Sequence, residues 1–342
     1  MCLSEAKGMD IKMYNAVGID VSKLSFDVFV RENSAHKQFK NESVGFELFT
    51  QWLKKQVGHS LNTVLICFEH TGLYSLPLAM FLETGHIPFA MIPALEIKRS
   101  LGITRGKNDL VDSKRIAEFA YRFSDKISTT KLPAADIRKI HSLLTLRDRL
   151  MTSMKGYTVS RNEMLRVMQK EDIPELFSSY ESAITSLQDE IGKLEQAIKA
   201  IIKGNEQLRS TFELITTIKG IGFIIASFLI VYTYNFTRFD NWRKFACYSG
   251  IAPFEYQSGT SVHGKTQVSS IANQQVKRML HLAAMTAIHF DTELREYYIR
   301  RQADGKSKMA IINIIRNKLV ARVFAVVKRG TPFVDMKRYA AR

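Results

Sequence analysis

The chain has 342 residues, a formal net charge of +16 and 46% hydrophobic residues. That length suits two or three domains, that apolar content excludes a disordered chain, and that charge favours polyanionic partners, nucleic acid first and an anionic membrane surface second. Three scattered cysteines, Cys2, Cys67 and Cys247, form no CxxC pair, which excludes a zinc ribbon and a disulfide framework and fits a reducing cytoplasm.

From the N-terminus, Glu5, Lys7, Asp10 and Lys12 interrupt any signal-peptide pattern. Ala16 to Val21 is a short apolar strand holding Asp20 near its end, Phe26 to Val30 alternates as a second strand, and Ser34 to Lys40 supplies a third after the Glu32-Asn33 turn. Phe46, Phe49, Leu53 and Val57 recur at helical spacing. Thr63 to Phe68 is a buried strand by composition, followed at once by Glu69. A helix over Tyr74 to Thr84, stopped by Gly85, a strand over Ile87 to Ile92, and a helix from Asp109 through Tyr121 complete the first third. Three hairpin-linked strands followed by alternating helix and strand is the order of an RNase H-like fold.

The middle changes character. Pro133 to about Gln169 and Pro174 to Ile202 are long helical patterns, the second with Ile184, Leu187, Ile191, Leu194, Ile198 and Ile201 at coiled-coil spacing. Joined near Glu171-Asp172-Ile173-Pro174, they read as an antiparallel arm rather than plain core helices. From Phe212 onward the chain is mostly helical around a Gly- and Ser-rich loop, Ser249 to Ser270. The longest apolar run, Ile221 to Tyr234, is shorter than the roughly 20 residues of a membrane span. The expected architecture is α/β plus all-α: a catalytic domain over 11–130, a coiled-coil arm over 131–208 and a helical domain over 209–342.

Four acids stand at element ends: Asp20, Glu69, and the pair Asp109 and Asp112, three apart at a helix start and so on one face. Singly, each has an ordinary explanation. Asp109 suits a helix N-cap, Asp112 the helix dipole, and Glu69 a loop. Together they resemble the carboxylate clusters that hold paired Mg²⁺ ions for phosphoryl transfer on DNA. An all-oxygen set without His or Cys favours Mg²⁺, with Mn²⁺ next, over softer metals. Arg99, Arg105, Lys107, Lys114 and Arg115 flank the last pair, as a phosphate-handling site requires, although a solvated basic loop has the same composition.

Lys219-Gly220-Ile221-Gly222 joins two apolar helical stretches, where glycines permit a tight turn or a close approach to phosphate. Downstream, Ser258 precedes Gly259, with His263, Gly264 and Lys265 beyond, and Lys277 and Arg278 lie on the next helical stretch. A serine nucleophile needs a base or a metal to ionise it. Turn chemistry alone also explains a serine there, and Ser261 and Tyr256 compete for the role.

The order of these motifs resembles the DEDD-type insertion-sequence transposases, the family related to the pilin-inversion recombinase, with members guided by a bridge RNA. Gly18-Ile19-Asp20-Val21-Ser22-Lys23 resembles the family's opening motif, Glu69 with Thr71-Gly72 its second acid, and Lys107-Asn108-Asp109-Leu110-Val111-Asp112 its K-T-D-x-x-D motif. Lys219-Gly220-Ile221-Gly222, Gly250-Ile251-Ala252-Pro253, Ser258-Gly259, Asn273 and Gly305-Lys306 continue the likeness, from about Ala16 to Lys328. Asn108 departs from the usual Thr, and Val268 to Ala272 lacks the basic residue and glycine that usually precede Asn273.

The resemblance implies a RuvC-like domain binding Mg²⁺ through Asp20, Glu69, Asp109 and Asp112, a coiled-coil insertion, and a C-terminal domain whose Ser258 joins covalently to DNA. It implies double-stranded donor and target DNA, a structured guide RNA, a homodimer or homotetramer with a composite site, and no nucleotide cofactor. Three rivals remain at this stage. A hydrolytic junction nuclease uses the same acids with water. An actin-like kinase shares the opening strand but needs phosphate loops that are weak here. A non-catalytic nucleic-acid binder tolerates loss of Asp20.

Overall fold

The computed structural model describes residues 15–58, 60–100, 109–258, 262–269 and 271–335, without the side chains of Asp109 and of residues 255–266. The chain divides into two compact units, 1–132 and 133–342.

The first unit is mixed α/β. Its elements are β1 (Asn15–Val21), β2 (Ser25–Val30), β3 (Ala35–Lys40), α1 (Ser43–Val57), β4 (Val64–Glu69), α2 (Leu76–Thr84), β5 (Phe89–Ile92), α3 (Ala94–Ser100) and α4 (Asp109–Arg122). The five strands lie in the order β3-β2-β1-β4-β5. The first three pair antiparallel, because short turns connect them, while β1-β4 and β4-β5 pair parallel across helical crossovers. Strand alternation then decides which residues face which layer. Val17, Ile19, Val21, Phe26, Val28, Ile66 and Phe68 point to one face and pack on Phe46, Phe49 and Leu53 of α1 and Leu78 and Leu82 of α2. Ala16, Leu65, Cys67 and Ala90 point to the other, under Ile97 of α3 and Ile116, Phe119 and Ala120 of α4. Burial pushes the Cys67 thiol far up, which leaves it inert.

Gly18 explains how closely α4 approaches the sheet. A Cβ there would lie 2.1 Å from the Ser113 carbonyl oxygen and 2.2 Å from the Ala117 nitrogen, so only glycine fits. Short α3, unread in the sequence, starts directly after Pro93.

The second unit contains α5 (Ala135–Met164), α6 (Pro174–Gly204), α7 (Glu206–Thr216), α8 (Phe223–Thr233), α9 (Trp242–Tyr248), β6 (Pro253–Ser258), β7 (Val262–Val268), α10 (Gln274–Phe290), α11 (Thr292–Ala303) and α12 (Lys308–Arg329). Helices α5 and α6 run antiparallel: Arg147 pairs with Glu195 at 2.7 Å and Arg161 with Glu181 at 3.2 Å. Ile184, Ile191 and Ile198 are buried at seven-residue intervals along α6, as a coiled-coil seam requires. The roots of this pair, Ile137, Ile140, Leu144, Ile198 and Ile202, join the core formed by α7, α8, α10 and α12. Asn205, Asn241, Asn273, Asp291 and Ser307 cap α7, α9, α10, α11 and α12, each accepting from a main-chain N–H three residues on.

One expectation needs correction. Ser249 to Ser270 reads as a loop, but it contains the antiparallel pair β6-β7, with Tyr256 opposite Gly264 and Ser258 opposite Val262. Gly259, Gly264 and the interspersed serines hide the alternation that Phe254, Tyr256 and Val262 carry. Among the described residues no helix is long and apolar enough to cross a membrane.

Candidate active site

Asp20 and Glu69 come together through register. Ile19 pairs with Phe68 in the parallel β1-β4 ladder, which places Asp20 and Glu69 side by side one residue further on. Both alternate with residues of the α1-α2 layer, so both face the α4 layer, as Gly18 and Cys67 do. Both are half-buried at the carboxyl ends of their strands.

The start of α4 lies at the same end. Gly18 meets Ser113 and Ala117, and Arg31, whose N–H binds the Ala16 carbonyl at 3.0 Å, pairs with Glu118 further along the helix. Helix α4 therefore runs against the direction of β1. Going from Gly18 to Asp20 moves about 6.6 Å along the strand, equivalent to about four residues back along the helix. That brings Asp20 level with the first turn, Asp109 to Asp112. The Asp112 carboxylate accepts from Arg115 Nη1 at 2.8 Å. Lys114 lies over the Phe29 ring. The Asp109 side chain, Arg105 and Lys107 lie outside the described residues.

Two features bear on a divalent metal. The donor set is all carboxylate, hard oxygen of the kind Mg²⁺ prefers. In addition, the Thr71 hydroxyl, two residues beyond Glu69, is buried with no hydrogen-bond partner among the described residues. No group of three His, Cys, Asp or Glu close enough to hold a metal occurs among the described residues, which leave out the Asp109 side chain. Asn41 steadies the edge: its Nδ2 donates to the Ser22 carbonyl at 2.9 Å and the Tyr74 carbonyl at 3.0 Å, linking the loops that follow β1 and β4.

Sequence reasoning missed Asp27. It is Asp20's partner across the β1-β2 ladder and is 6% exposed. Its Oδ1 lies 2.9 Å from His36 Nε2, and its Oδ2 accepts from Gln38 Nε2 at 2.8 Å. The available signal was an acid inside an alternating apolar strand.

The serine and glycine motifs belong to the second unit. Ser258 is the last residue of β6, and Lys265 lies in β7. Their side chains, like that of Tyr256, are not described, and Ser261 lies outside the described residues. The roots of this hairpin are well anchored. Asn313 and Asn317 of α12 both donate to the Ile251 carbonyl at 2.9 Å. On the return side, the Asn273 N–H binds the Tyr248 carbonyl at 3.0 Å and its Nδ2 donates to the Tyr248 hydroxyl at 2.8 Å.

Gly220 is packed tightly within the unit. At φ +94° its missing Cβ would lie 2.7 Å from the Ala283 carbonyl oxygen and 2.8 Å from the Ala287 Cβ, so its close approach is to α10. Gly222 faces open space at the start of α8. Lys219 pairs with Asp335 at 2.8 Å, and Arg278 with Asp148 at 2.5 Å. Lys277 is half-buried on α10.

Comparison with known proteins covers both units. The model of the transposase IS116/IS110/IS902 family matches residues 212–299, and a DEDD-type IS110 transposase model matches residues 17–170. The chain is 26% identical over 324 residues to the pilin gene-inverting protein of Moraxella bovis, covering 93% of this chain and 97% of that one, and equally to its Moraxella lacunata counterpart. It is 29% identical over 153 residues to an uncharacterized 43.6 kDa protein of insertion element IS110 from Streptomyces coelicolor, covering 45% of this chain and 36% of that protein.

Proposed function

We propose that the chain, which matches the IS116/IS110/IS902 transposase family model over residues 212–299 and a DEDD-type IS110 transposase model over residues 17–170, is a transposase and DNA recombinase that cuts and rejoins DNA through a covalent bond to Ser258. The observation that supports this most directly is the edge at which Asp20, Glu69 and the first turn of α4 meet on one face of the sheet. The strand order supports an RNase H-like, RuvC-type domain.

Asp20, Glu69, Asp109 and Asp112 would hold Mg²⁺, or Mn²⁺ in its place. When bound, the ion polarises the scissile phosphate and lowers the cost of ionising an attacking hydroxyl. The four carboxylates fix where the phosphate sits relative to the sheet edge. Ser258 loses its Oγ proton and attacks phosphorus. An Oγ–P bond forms, a P–O bond to deoxyribose breaks, and the freed sugar hydroxyl takes up a proton. Attack by a sugar hydroxyl of the exchanged strand reverses these changes. One phosphoester replaces another throughout, so no nucleotide cofactor is consumed.

Arg105, Lys107, Lys114, Arg115, Lys219, Lys265, Lys277 and Arg278, with the turn at Gly220 and Gly222, hold nucleic-acid backbone, so affinity falls steeply with salt. A structured guide RNA selects donor and target by pairing. The working form is a homodimer or homotetramer in the bacterial cytoplasm, associated with the nucleoid. Its functional parts are the acid domain (11–130), the helical arm (131–208) and the serine domain (209–342).

The test is a denaturing gel for a covalent protein–DNA adduct. It uses labelled junction DNA, the flanking transcript as guide, and Mg²⁺. Wild type forms an adduct that Ser258→Ala and Asp20→Ala both lose. Strand cleavage without an adduct, surviving Ser258→Ala but lost in Asp20→Ala, would make the protein a hydrolytic nuclease and sink the serine mechanism.

A further inference from the structure

We propose that Asp27 is a fifth carboxylate of the metal-holding edge, a positioning residue that strengthens cation binding at Asp20 without ligating the ion. The inference rests on the metal reading of Asp20 and Glu69.

Gln38, Asp27 and Asp20 are successive partners across β3, β2 and β1, and Glu69 follows in β4. Alternation puts all four on the face that α4 covers, because Phe26, Val28, Ile19 and Phe68 occupy the other. Residues directly opposite in an antiparallel pair have Cβ atoms about 4.5–5.5 Å apart, and like charges so placed repel.

Asp27 cannot be dismissed as a stray surface acid. It is 6% exposed, and both its oxygens are engaged. His36 Nε2 lies 2.9 Å from one, and Gln38 Nε2 donates to the other at 2.8 Å. Both partners come from the outer strand β3, so the carboxylate is turned towards β3 and away from a ligand position. What remains is its charge. A buried negative charge one strand away from Asp20 favours a cation bound there, and its loss is expected to cost about tenfold in affinity after solvent screening.

The experiment measures Mn²⁺ binding to the full chain by electron paramagnetic resonance, with Mg²⁺ as competitor. It compares wild type, Asp20→Asn, Asp27→Asn and Gln38→Lys. Asp27→Asn keeps the shape and can still accept from Gln38, while His36 can present its other tautomer. Gln38 is exposed, so Gln38→Lys does not threaten folding, and it places an ammonium beside Asp27. Asp20→Asn abolishes the site, Asp27→Asn weakens Mn²⁺ about tenfold, and Gln38→Lys weakens it about threefold.

A purely structural Asp27 would lower the metal-free melting temperature and leave Mn²⁺ affinity unchanged. Wild-type affinity in both Asp27→Asn and Gln38→Lys, with Asp20→Asn impaired, overturns the inference alone. No Mn²⁺ binding by wild type, or none lost in Asp20→Asn, overturns the metal reading and this inference with it.

Discussion

In the first unit the chemical groups are placed by a sheet, and in the second by a hairpin hung from helices. Asp20 and Glu69 owe their shared height and face to strand pairing, with Gly18 letting α4 close over them. Ser258 ends a two-stranded ribbon whose roots are tied by amide side chains, Asn313 and Asn317 on one side and Asn273 on the other. The first arrangement leaves little room for adjustment, because a one-residue slip would send every acid to the wrong face. The second fixes only the base of the ribbon. On the proposal that Asp20 and Glu69 help to hold a metal and that Ser258 is the nucleophile, a fixed acid edge and a serine anchored only at the roots of its ribbon suit a reaction in which the same serine must meet a phosphate and later release it.

The strongest way to break this contrast is Gly18→Ala. The added Cβ collides with main-chain atoms of α4 at 2.1 and 2.2 Å, which no side-chain rotation relieves. The helix must lift away from the sheet face that carries Asp20 and Glu69. We expect about 3 kcal/mol of lost stability, read by urea denaturation, and no adduct formation. Normal stability with normal adduct yield would show that α4 does not fix the edge.

A smaller effect sharpens the hairpin side. The Ile251 carbonyl accepts from both Asn313 and Asn317, so removing one leaves a donor in place. Asn313→Ala and Asn317→Ala should each cost about 1 kcal/mol or less, whereas the double variant strips both donors and costs about 2–3 kcal/mol. Adduct yield should drop in the double variant while Mn²⁺ binding stays as in wild type. Additive losses would mean that the two amides do not share this task.

The sequence foretold the first unit better than the second for the same reason. Acids at the ends of apolar strands are visible as such, and the strand order follows from short turns and long crossovers. Asp27 escaped because alternation in Phe26 to Val30 reads as one wet face, and nothing in the local sequence says that α4 and β3 cover it. The hairpin escaped because Gly259, Gly264 and the serines are turn residues by composition, whereas its strand character comes from pairing across the turn. Gly220 was legible as special, but its packing against α10 was not, since its neighbours Ala283 and Ala287 are more than sixty residues away in sequence. The partners of Lys219 and Arg278, Asp335 and Asp148, were likewise beyond reach of any local pattern.

The smallest expected effect tests how far the hairpin's anchor depends on pH. Arg316, one turn from Asn313 on α12, is 6% exposed and donates through Nη2 to His281 Nδ1 at 2.6 Å. That bond needs a neutral imidazole. Burial, and then the Arg316 charge, hold the His281 pKa below the usual histidine value of 6.5. The folded state therefore binds this proton less readily than the unfolded chain does. Stability from this pair is complete above the ordinary histidine range and declines as pH falls through 6.5 towards the lowered folded value. Urea midpoints at pH 7.5 and 5.5 should differ in wild type, and the difference should shrink in His281→Gln, whose amide oxygen can accept from Arg316 at either pH. An unchanged pH dependence in His281→Gln would remove His281 from the anchor and leave the asparagine ties as the whole of it.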